Sequence, residues 1–269
     1  MVSLIESKIA MLDEYFSEYD FAKATPHLIE CSLAVFIIYV TGIRSGSSKN
    51  DNGNNEKDET GVGLLSIKNK HIKVIKIDDS KFLMHLRFYG KYRTLFDKKF
   101  PIPLQIANLI TKCKGSAPDT MLFNIKKSDL YAFINKQFGM DVSFRAFRKL
   151  RFSAYFETTL NSINSNNDAS LVYLSTAADK TLDLSNHSRV DSLVYYLDAR
   201  ILALFLDRFS IQTSSYNNNA FKNVISHFIK KSINFEWSLL VNKFLYSKNV
   251  TNDKYNLNII YHQSKYWNF

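Results

Sequence analysis

Residues 63–72 read GLLSIKNKHI, and the periodicity of the chain changes at this stretch. Apolar residues recur at helical spacing before it, whereas a period of two, which is typical of β-strands, begins here. We predict strands at 62–67 and 71–77, with Asn69 as the turn residue between them. Lys68 is therefore expected in a tight turn between two strands.

A second hairpin is predicted immediately downstream. Residues 81–89 and 93–96 alternate in the same way, and the chain turns at Gly90 and Lys91. The sequence therefore predicts a small antiparallel sheet.

Helical periodicity surrounds this sheet. Helices are predicted at 3–18 and 26–43, with Pro26 in a first turn, and a polar loop is predicted at 45–60. The fold class is therefore α+β and mainly helical, and we expect a catalytic domain at 1–246 followed by a tail of unknown role at 247–269. The later helices are predicted at 104–113, 127–138, 143–162, 170–182, 189–208 and 219–246.

The composition favours a polyanionic partner. The chain has 35 Lys+Arg against 25 Asp+Glu, a formal net charge of +10, which favours nucleic acid first and a membrane surface second. Codon usage in an AT-rich genome is the simpler explanation of the same composition. The apolar stretch at 33–40 is too short to span a bilayer and predicts a buried core helix. The spacing of Cys31 and Cys113 suggests neither a disulfide scaffold nor a zinc site.

Five residues in a fixed order carry candidate chemistry. Each alone has an ordinary structural explanation, such as a helix-end charge, a solvated turn lysine or a core aromatic ring. Their order and local context are more specific than any one of them. They are Arg44, Lys68, Arg145, His187 and Tyr196.

These positions lie in motifs that resemble type IB DNA topoisomerases. The resemblance covers residues 25–205 and is closest to the poxvirus enzymes at 63–72, while 87–91 resembles the cellular enzymes. The stretches are 42–46 GIRSG, 63–72 GLLSIKNKHI, 87–91 RFYGK, 122–124 LFN, 136–139 KQFG, 144–147 FRAF, 186–188 NHS and 196–200 YLDAR.

The resemblance implies the tyrosine recombinase/type IB topoisomerase catalytic fold and in-line attack of Tyr196 on a phosphodiester of double-stranded DNA. The product is a 3′-phosphotyrosyl bond and a free 5′-hydroxyl, and supercoils relax before resealing. Arg44 and Arg145 would hold the non-bridging oxygens and His187 would donate a further hydrogen bond. Lys68 would protonate the leaving 5′-oxygen. Neither a metal nor ATP is implied, so no cofactor is expected.

Tyr196 is chosen over the adjacent Tyr195 by its step of nine residues from His187. Neighbours on a helix point about 100° apart, so only one of the two can face the phosphate. Further basic residues are expected to contact backbone phosphates without reading sequence. They are Lys70, His71, Lys91, Arg93, Arg148, Lys149 and Arg151.

The chain departs from the poxvirus pattern at two places. Only 43 residues precede Arg44, so no separate N-terminal β clamp domain is expected. A second chain could supply the clamp, the grip on DNA could be less complete, or the sequence could be a fragment. Residues 47–50 read SSKN where poxvirus enzymes carry base-reading Lys and Tyr, so their site specificity is not expected here.

Two other functions share the expected fold. Tyrosine recombinases and integrases carry His-x-x-Arg around the second arginine, but position 142 is Val here. A non-catalytic DNA-binding subunit is the other alternative. Residues 1–10 show no signal peptide, so an intracellular location is expected. The nucleus and a viral factory or virion both stay open, and the composition hints at a large DNA virus.

Overall fold

The computed structural model describes residues 9–46, 61–90, 94–139, 143–161, 170–186 and 196–197. The chain divides into two compact units, with the boundary between Arg148 and Lys149. The described residues form six α-helices and one three-stranded antiparallel sheet. The predicted fold class, α+β and mainly helical, is therefore confirmed. The predicted helices at 189–208 and 219–246 lie outside the described residues, apart from isolated positions.

Two helices begin the first unit. Helix α1, Ile9–Glu18, buries Ile9, Leu12 and Phe16 at helical spacing. Helix α2, Pro26–Thr41, begins where the Thr25 hydroxyl accepts a hydrogen bond from the Leu28 N–H at 3.3 Å. All of its residues from Cys31 to Thr41 are buried, so the predicted core helix at 33–40 is confirmed. No helix among the described residues is long and apolar enough to cross a bilayer.

The sheet is a simple meander. Strands β1, Ile72–Lys76, β2, Phe82–Tyr89, and β3, Leu95–Ile102, pair in that order. Phe88 of β2 pairs with Phe96 of β3, and their rings stack with centroids 5.0 Å apart on the buried face. This apolar pair, together with its neighbours on the same face, fixes the register.

Strand β3 is longer than the predicted 93–96 and runs through Pro101. Pro101 lacks a backbone N–H and is tolerated because β3, among the strands that the structure describes, pairs with β2 alone and lies at the edge of the sheet. The predicted strand ends at Phe96 because residues 97–99 read DKK, a charged run without the apolar alternation that indicates a strand.

The predicted strand at 62–67 is wrong. Leu64–Ser66 forms a 3₁₀ turn, and the Ser66 hydroxyl bonds both the N–H and the carbonyl of Gly63. Leu64, Leu65 and Ile67 are all buried, so their side chains do not alternate between core and solvent. A second 3₁₀ turn, Asn69–His71, then leads into β1. Lys68 therefore lies between two 3₁₀ turns and not at the tip of a β-hairpin.

Two further helices complete the first unit. Helix α3, Leu104–Cys113, and helix α4, Lys127–Phe138, both pack against α2. Helix α4 begins with a carboxylate cap, since Asp129 accepts a hydrogen bond from the Lys126 N–H at 2.8 Å. It ends at Gly139, whose φ of 59° is left-handed.

Helix α5, Phe144–Asn161, begins in the first unit and continues into the second. In the second unit it buries Leu150, Phe152 and Phe156. Helix α6, Ser170–Ser185, buries small and apolar residues in its last turns. Both helices agree with the predictions at 143–162 and 170–182, and α6 extends three residues further.

Two glycines allow the backbone to come into close contact in the first unit. A Cβ placed on Gly63 would lie 2.6 Å from the Cα of Gly46 and 2.7 Å from its backbone nitrogen. Those neighbours are backbone atoms, which cannot rotate away as a side-chain end could. Gly46 also has a φ of 70°, a conformation that side chains disfavour.

We therefore expect Gly63→Ala to lower the free energy of unfolding by about 1–3 kcal/mol, because the added methyl group forces the two backbones apart. Urea denaturation measures this change. Gly90→Ala is the control, since its nearest new contact is an ordinary 3.6 Å to the Thr94 carbonyl. If the two variants have equal free energies of unfolding, the backbones of Gly46 and Gly63 are not in the close contact described.

Candidate active site

Arg44 lies in the turn that follows α2. The helix ends at Gly42, whose φ of 66° is left-handed. The Arg44 carbonyl accepts a hydrogen bond from the Leu64 N–H at 2.8 Å, and the Ser45 carbonyl accepts one from the Leu65 N–H at 2.9 Å. The backbone of Arg44 is thus joined directly to the segment that leads to Lys68.

Lys68 is held by its backbone on two sides. It forms an isolated β-bridge with Met121, and its N–H donates to Nδ1 of His71 at 3.1 Å. The preceding residue, Ile67, accepts a hydrogen bond from the Leu122 N–H at 2.8 Å. The lysine side chain is about a third exposed, so its ammonium group can reach the surface while its backbone stays fixed.

A carboxylate lies beside this lysine. Oδ1 of Asp119 is 3.2 Å from Nζ of Lys68 and 2.5 Å from Nζ of Lys70. The hydrogen bonds from Lys70 and then Lys68 lower the pKa of Asp119. Asp119 is thus an anion held between two cations.

His71 supports Lys68 as a hydrogen-bond acceptor. Only an unprotonated Nδ1 can accept the Lys68 N–H, so the bond requires the neutral ring. Burial lowers the pKa of His71, and the charges of Lys70 and Lys68 lower it further, while Asp119 opposes the shift. The environment of His71 therefore favours the form that holds Lys68.

The second candidate arginine lies at the start of α5. Arg145 is the second residue of this helix and is exposed. Arg148, one turn later, is only 7% exposed, and its Nε–H donates to the Gly42 carbonyl at 2.6 Å. The edge of the Tyr39 ring also meets the Phe147 ring, with centroids 6.5 Å apart. The start of α5 is thus joined to the end of α2, just before Arg44.

Tyr196 belongs to the second unit. It is 7% exposed, and its ring meets that of Phe152 edge-on at 5.5 Å. Its carbonyl accepts a hydrogen bond from the Ser153 hydroxyl at 3.2 Å. Both contacts come from α5, the helix that carries Arg145 in its first turn.

The remaining predicted site residues differ in how far their side chains are exposed to solvent. The side chain of Lys70 is about half exposed and Lys149 is partly exposed, whereas Arg151 is 2% exposed. Burial of a guanidinium group argues against direct phosphate contact, and this applies to both Arg148 and Arg151. The phosphate contacts stay predictions. His187, Lys91 and Arg93 lie outside the described residues.

The sequence predicted neither the contact of Asp119 with Lys68 nor the hydrogen bond from Arg148 to the Gly42 carbonyl. Asp119 lies 51 residues from Lys68, and Arg148 lies 106 residues from Gly42. Neither pair has a local pattern that could have indicated it, because both contacts are made only by the tertiary fold.

Two further groups in the described part of the chain are the two cysteines and the side chains that could bind a metal ion. Burial raises the pKa of the Cys31 and Cys113 thiols to about 12, so neither provides a thiolate nucleophile near neutral pH. Among the described residues, no group of three His, Cys, Asp or Glu side chains is arranged to hold a metal ion.

The His71 bond makes the first unit sensitive to acid. The pKa of His71 is lower in the folded than in the unfolded state. The contribution of His71 to the free energy of unfolding is therefore complete above pH 6.5, and it is lost as the pH falls through the folded pKa. Between about pH 8 and about pH 5, the wild type should lose more unfolding free energy than His71→Ala. Denaturant titrations at each pH measure the difference, and parallel pH profiles would contradict it.

A family model described as the eukaryotic DNA topoisomerase I catalytic core matches residues 11–194. The match spans more than half of the chain, includes Arg44, Lys68, Arg145 and His187, and ends two residues before Tyr196. No curated protein matches the sequence at a significant level. The arginine turn, the supported lysine and the helix of Arg145 all lie within the matched residues. The chain therefore belongs to the family of the eukaryotic DNA topoisomerase I catalytic core and is a type I topoisomerase.

Proposed function

We propose that the chain is a type IB topoisomerase, which cuts one strand of duplex DNA through a 3′-phosphotyrosyl bond to Tyr196. As the bond from the tyrosine oxygen to phosphorus forms, the bond from phosphorus to the 5′-oxygen breaks. The strand rotates and the 5′-hydroxyl then reverses the reaction. One phosphoester replaces another, so neither ATP nor a metal ion has to take part. The family match over residues 11–194 carries this proposal.

Arg44 is proposed to stabilise the transition state, in which negative charge builds up on the non-bridging phosphate oxygens. A guanidinium group is always charged and can donate two parallel hydrogen bonds to such oxygens. A donor of this kind is effective only when it is already in position. The hydrogen bond from the Leu64 N–H to the Arg44 carbonyl supports that requirement. Arg145 is proposed as the second such donor.

Lys68 is proposed as the general acid that protonates the leaving 5′-oxygen. A general acid must lie within hydrogen-bond reach of the atom it protonates. The backbone of Lys68 is fixed by Met121 and His71, while its ammonium group contacts Asp119. A phosphate that replaces Asp119 as the counter-ion would bring the ammonium group to the scissile bond. The fixed backbone and the partly exposed side chain of Lys68 support a role in chemistry beyond simple attraction of DNA.

Tyr196 is proposed as the nucleophile, and His187 as an additional donor to the phosphate. The contacts of Tyr196 with Phe152 and Ser153 tether it to α5. That tether supports a tyrosine held in a defined orientation relative to Phe152 and Ser153. The roles of Tyr196 and His187 follow from the resemblance of residues 186–200 to the nucleophile motif.

The covalent intermediate gives a direct test of this assignment. Wild-type protein mixed with duplex DNA and stopped with denaturant should form a protein–DNA adduct, and Tyr196→Phe should form none because it lacks the attacking oxygen. Tyr195→Phe is the matched control and should still form the adduct. No adduct from the wild type, or an adduct from Tyr196→Phe, would contradict the proposal.

The role of Lys68 can be separated from DNA binding. Lys68→Ala should cleave ordinary DNA about 10²–10⁴-fold more slowly than the wild type. A substrate with sulfur at the 5′-bridging position should restore most of that rate, because a thiolate leaves without a proton. Single-turnover cleavage of both substrates measures the effect.

Lys70→Ala is the matched control, because Lys70 shares the carboxylate of Asp119 but has no proposed role in proton transfer. Its cleavage should show no specific rescue by sulfur. If Lys68→Ala stays equally slow on the sulfur substrate, Lys68 is not the general acid.

A further inference from the structure

We propose that Arg148 is a positioning residue, which orients Arg44 through the carbonyl group of Gly42 without touching DNA. The inference rests on the role proposed for Arg44. It assigns Arg148 a different function from the phosphate contact that its basic surroundings in the sequence suggest.

The peptide group between Gly42 and Ile43 is held from both sides. Its carbonyl oxygen accepts a hydrogen bond from Nε of Arg148 at 2.6 Å. Its N–H donates to the Thr41 hydroxyl at 3.1 Å. Because the peptide group is planar, two bonds at its opposite edges fix its rotation.

The chain on the other side of Arg44 is also held, since the Arg44 carbonyl accepts the hydrogen bond from Leu64. A single peptide group, between Ile43 and Arg44, separates the two fixed groups. The Ile43 side chain is 6% exposed and is packed in the core. The Cα of Arg44 therefore has little freedom, and the direction in which its side chain leaves the backbone depends on the Arg148 bond.

The chemistry of arginine suits this position. The bond uses Nε, which lies part way along the side chain, and lysine has only methylene groups there. A charged donor also forms a shorter and stronger hydrogen bond to a carbonyl oxygen than a neutral one. Arg145 lies three residues earlier on α5, one turn away. The same bond thus ties the helix turn of the second candidate arginine to the turn of the first.

Arg148→Lys tests the proposal because it keeps the positive charge and removes the Nε donor. We expect single-turnover cleavage at saturating DNA to slow by about 10²-fold, as a misplaced catalytic group does. The salt dependence of DNA affinity should be unchanged. Lys23→Arg is the charge-retaining control, since Lys23 is exposed, pairs with Asp20 and lies outside the quoted motifs, and it should cleave at the wild-type rate.

A double mutant separates a positioning role from an independent one. If Arg148 acts through Arg44, Arg44→Ala combined with Arg148→Lys should cleave no more slowly than Arg44→Ala alone. If the rate losses of the two single variants multiply in the double mutant, the proposal is wrong. A normal cleavage rate for Arg148→Lys would also overturn it. A salt slope reduced by about one in Arg148→Met, which removes the charge, would overturn it as well, because the loss of a phosphate contact has that signature.

Two further measurements cover the case in which Arg148→Lys fails to fold or the wild type forms no adduct. Thr41→Val removes the acceptor on the other edge of the same peptide group and should also slow cleavage without adding to Arg44→Ala. In folded Arg148→Lys, or in Thr41→Val, hydrogen exchange at the Leu64 amide should be faster than in the wild type. Exchange at the Met84 amide in β2 should be unchanged. Unchanged exchange at Leu64 would overturn the positioning role, whereas a missing wild-type adduct would overturn only the proposed function.

Discussion

The contact between the backbones of Gly46 and Gly63 is the constraint on which the candidate site in the first unit depends. It lets the chain after α2 lie against the segment before Lys68, with no side chain between them. The hydrogen bond from Leu64 to Arg44 is possible only at this separation. A side chain at either glycine would move the arginine turn away from the lysine segment, and Arg44 would lose the hydrogen bond that holds its backbone.

Several positive charges are concentrated around this contact, and the fold controls each of them differently. Asp119 pairs with both Lys68 and Lys70 at the surface, where an ion pair contributes little to stability. Arg148 is instead buried against the Gly42 carbonyl. His71 is kept in the form that accepts a hydrogen bond, because burial and the neighbouring lysines lower its pKa. The basic composition thus includes cations that serve the structure as well as cations available to DNA.

The sequence predicted the parts of the fold that depend on local signals. Helix α2 was predictable because Pro26 starts it, a continuous apolar run follows and Gly42 ends it. The strand predicted at 62–67 is wrong. Ser66 closes a 3₁₀ turn there, and the buried residues include the consecutive pair Leu64 and Leu65, which a strand would place on opposite faces. The contacts made by Asp119 and Arg148 were not predictable, because they join residues that are distant in the sequence.

Under the proposed function, this chain transfers a DNA phosphodiester to Tyr196 and back without outside energy. Relaxation of a supercoiled plasmid in EDTA and without ATP tests it most directly. We expect complete relaxation by the wild type and none by Tyr196→Phe. The proposed function is wrong if the wild type relaxes no plasmid, or relaxes it only when a metal ion or ATP is supplied. Strand exchange between paired sites without relaxation would instead indicate a recombinase.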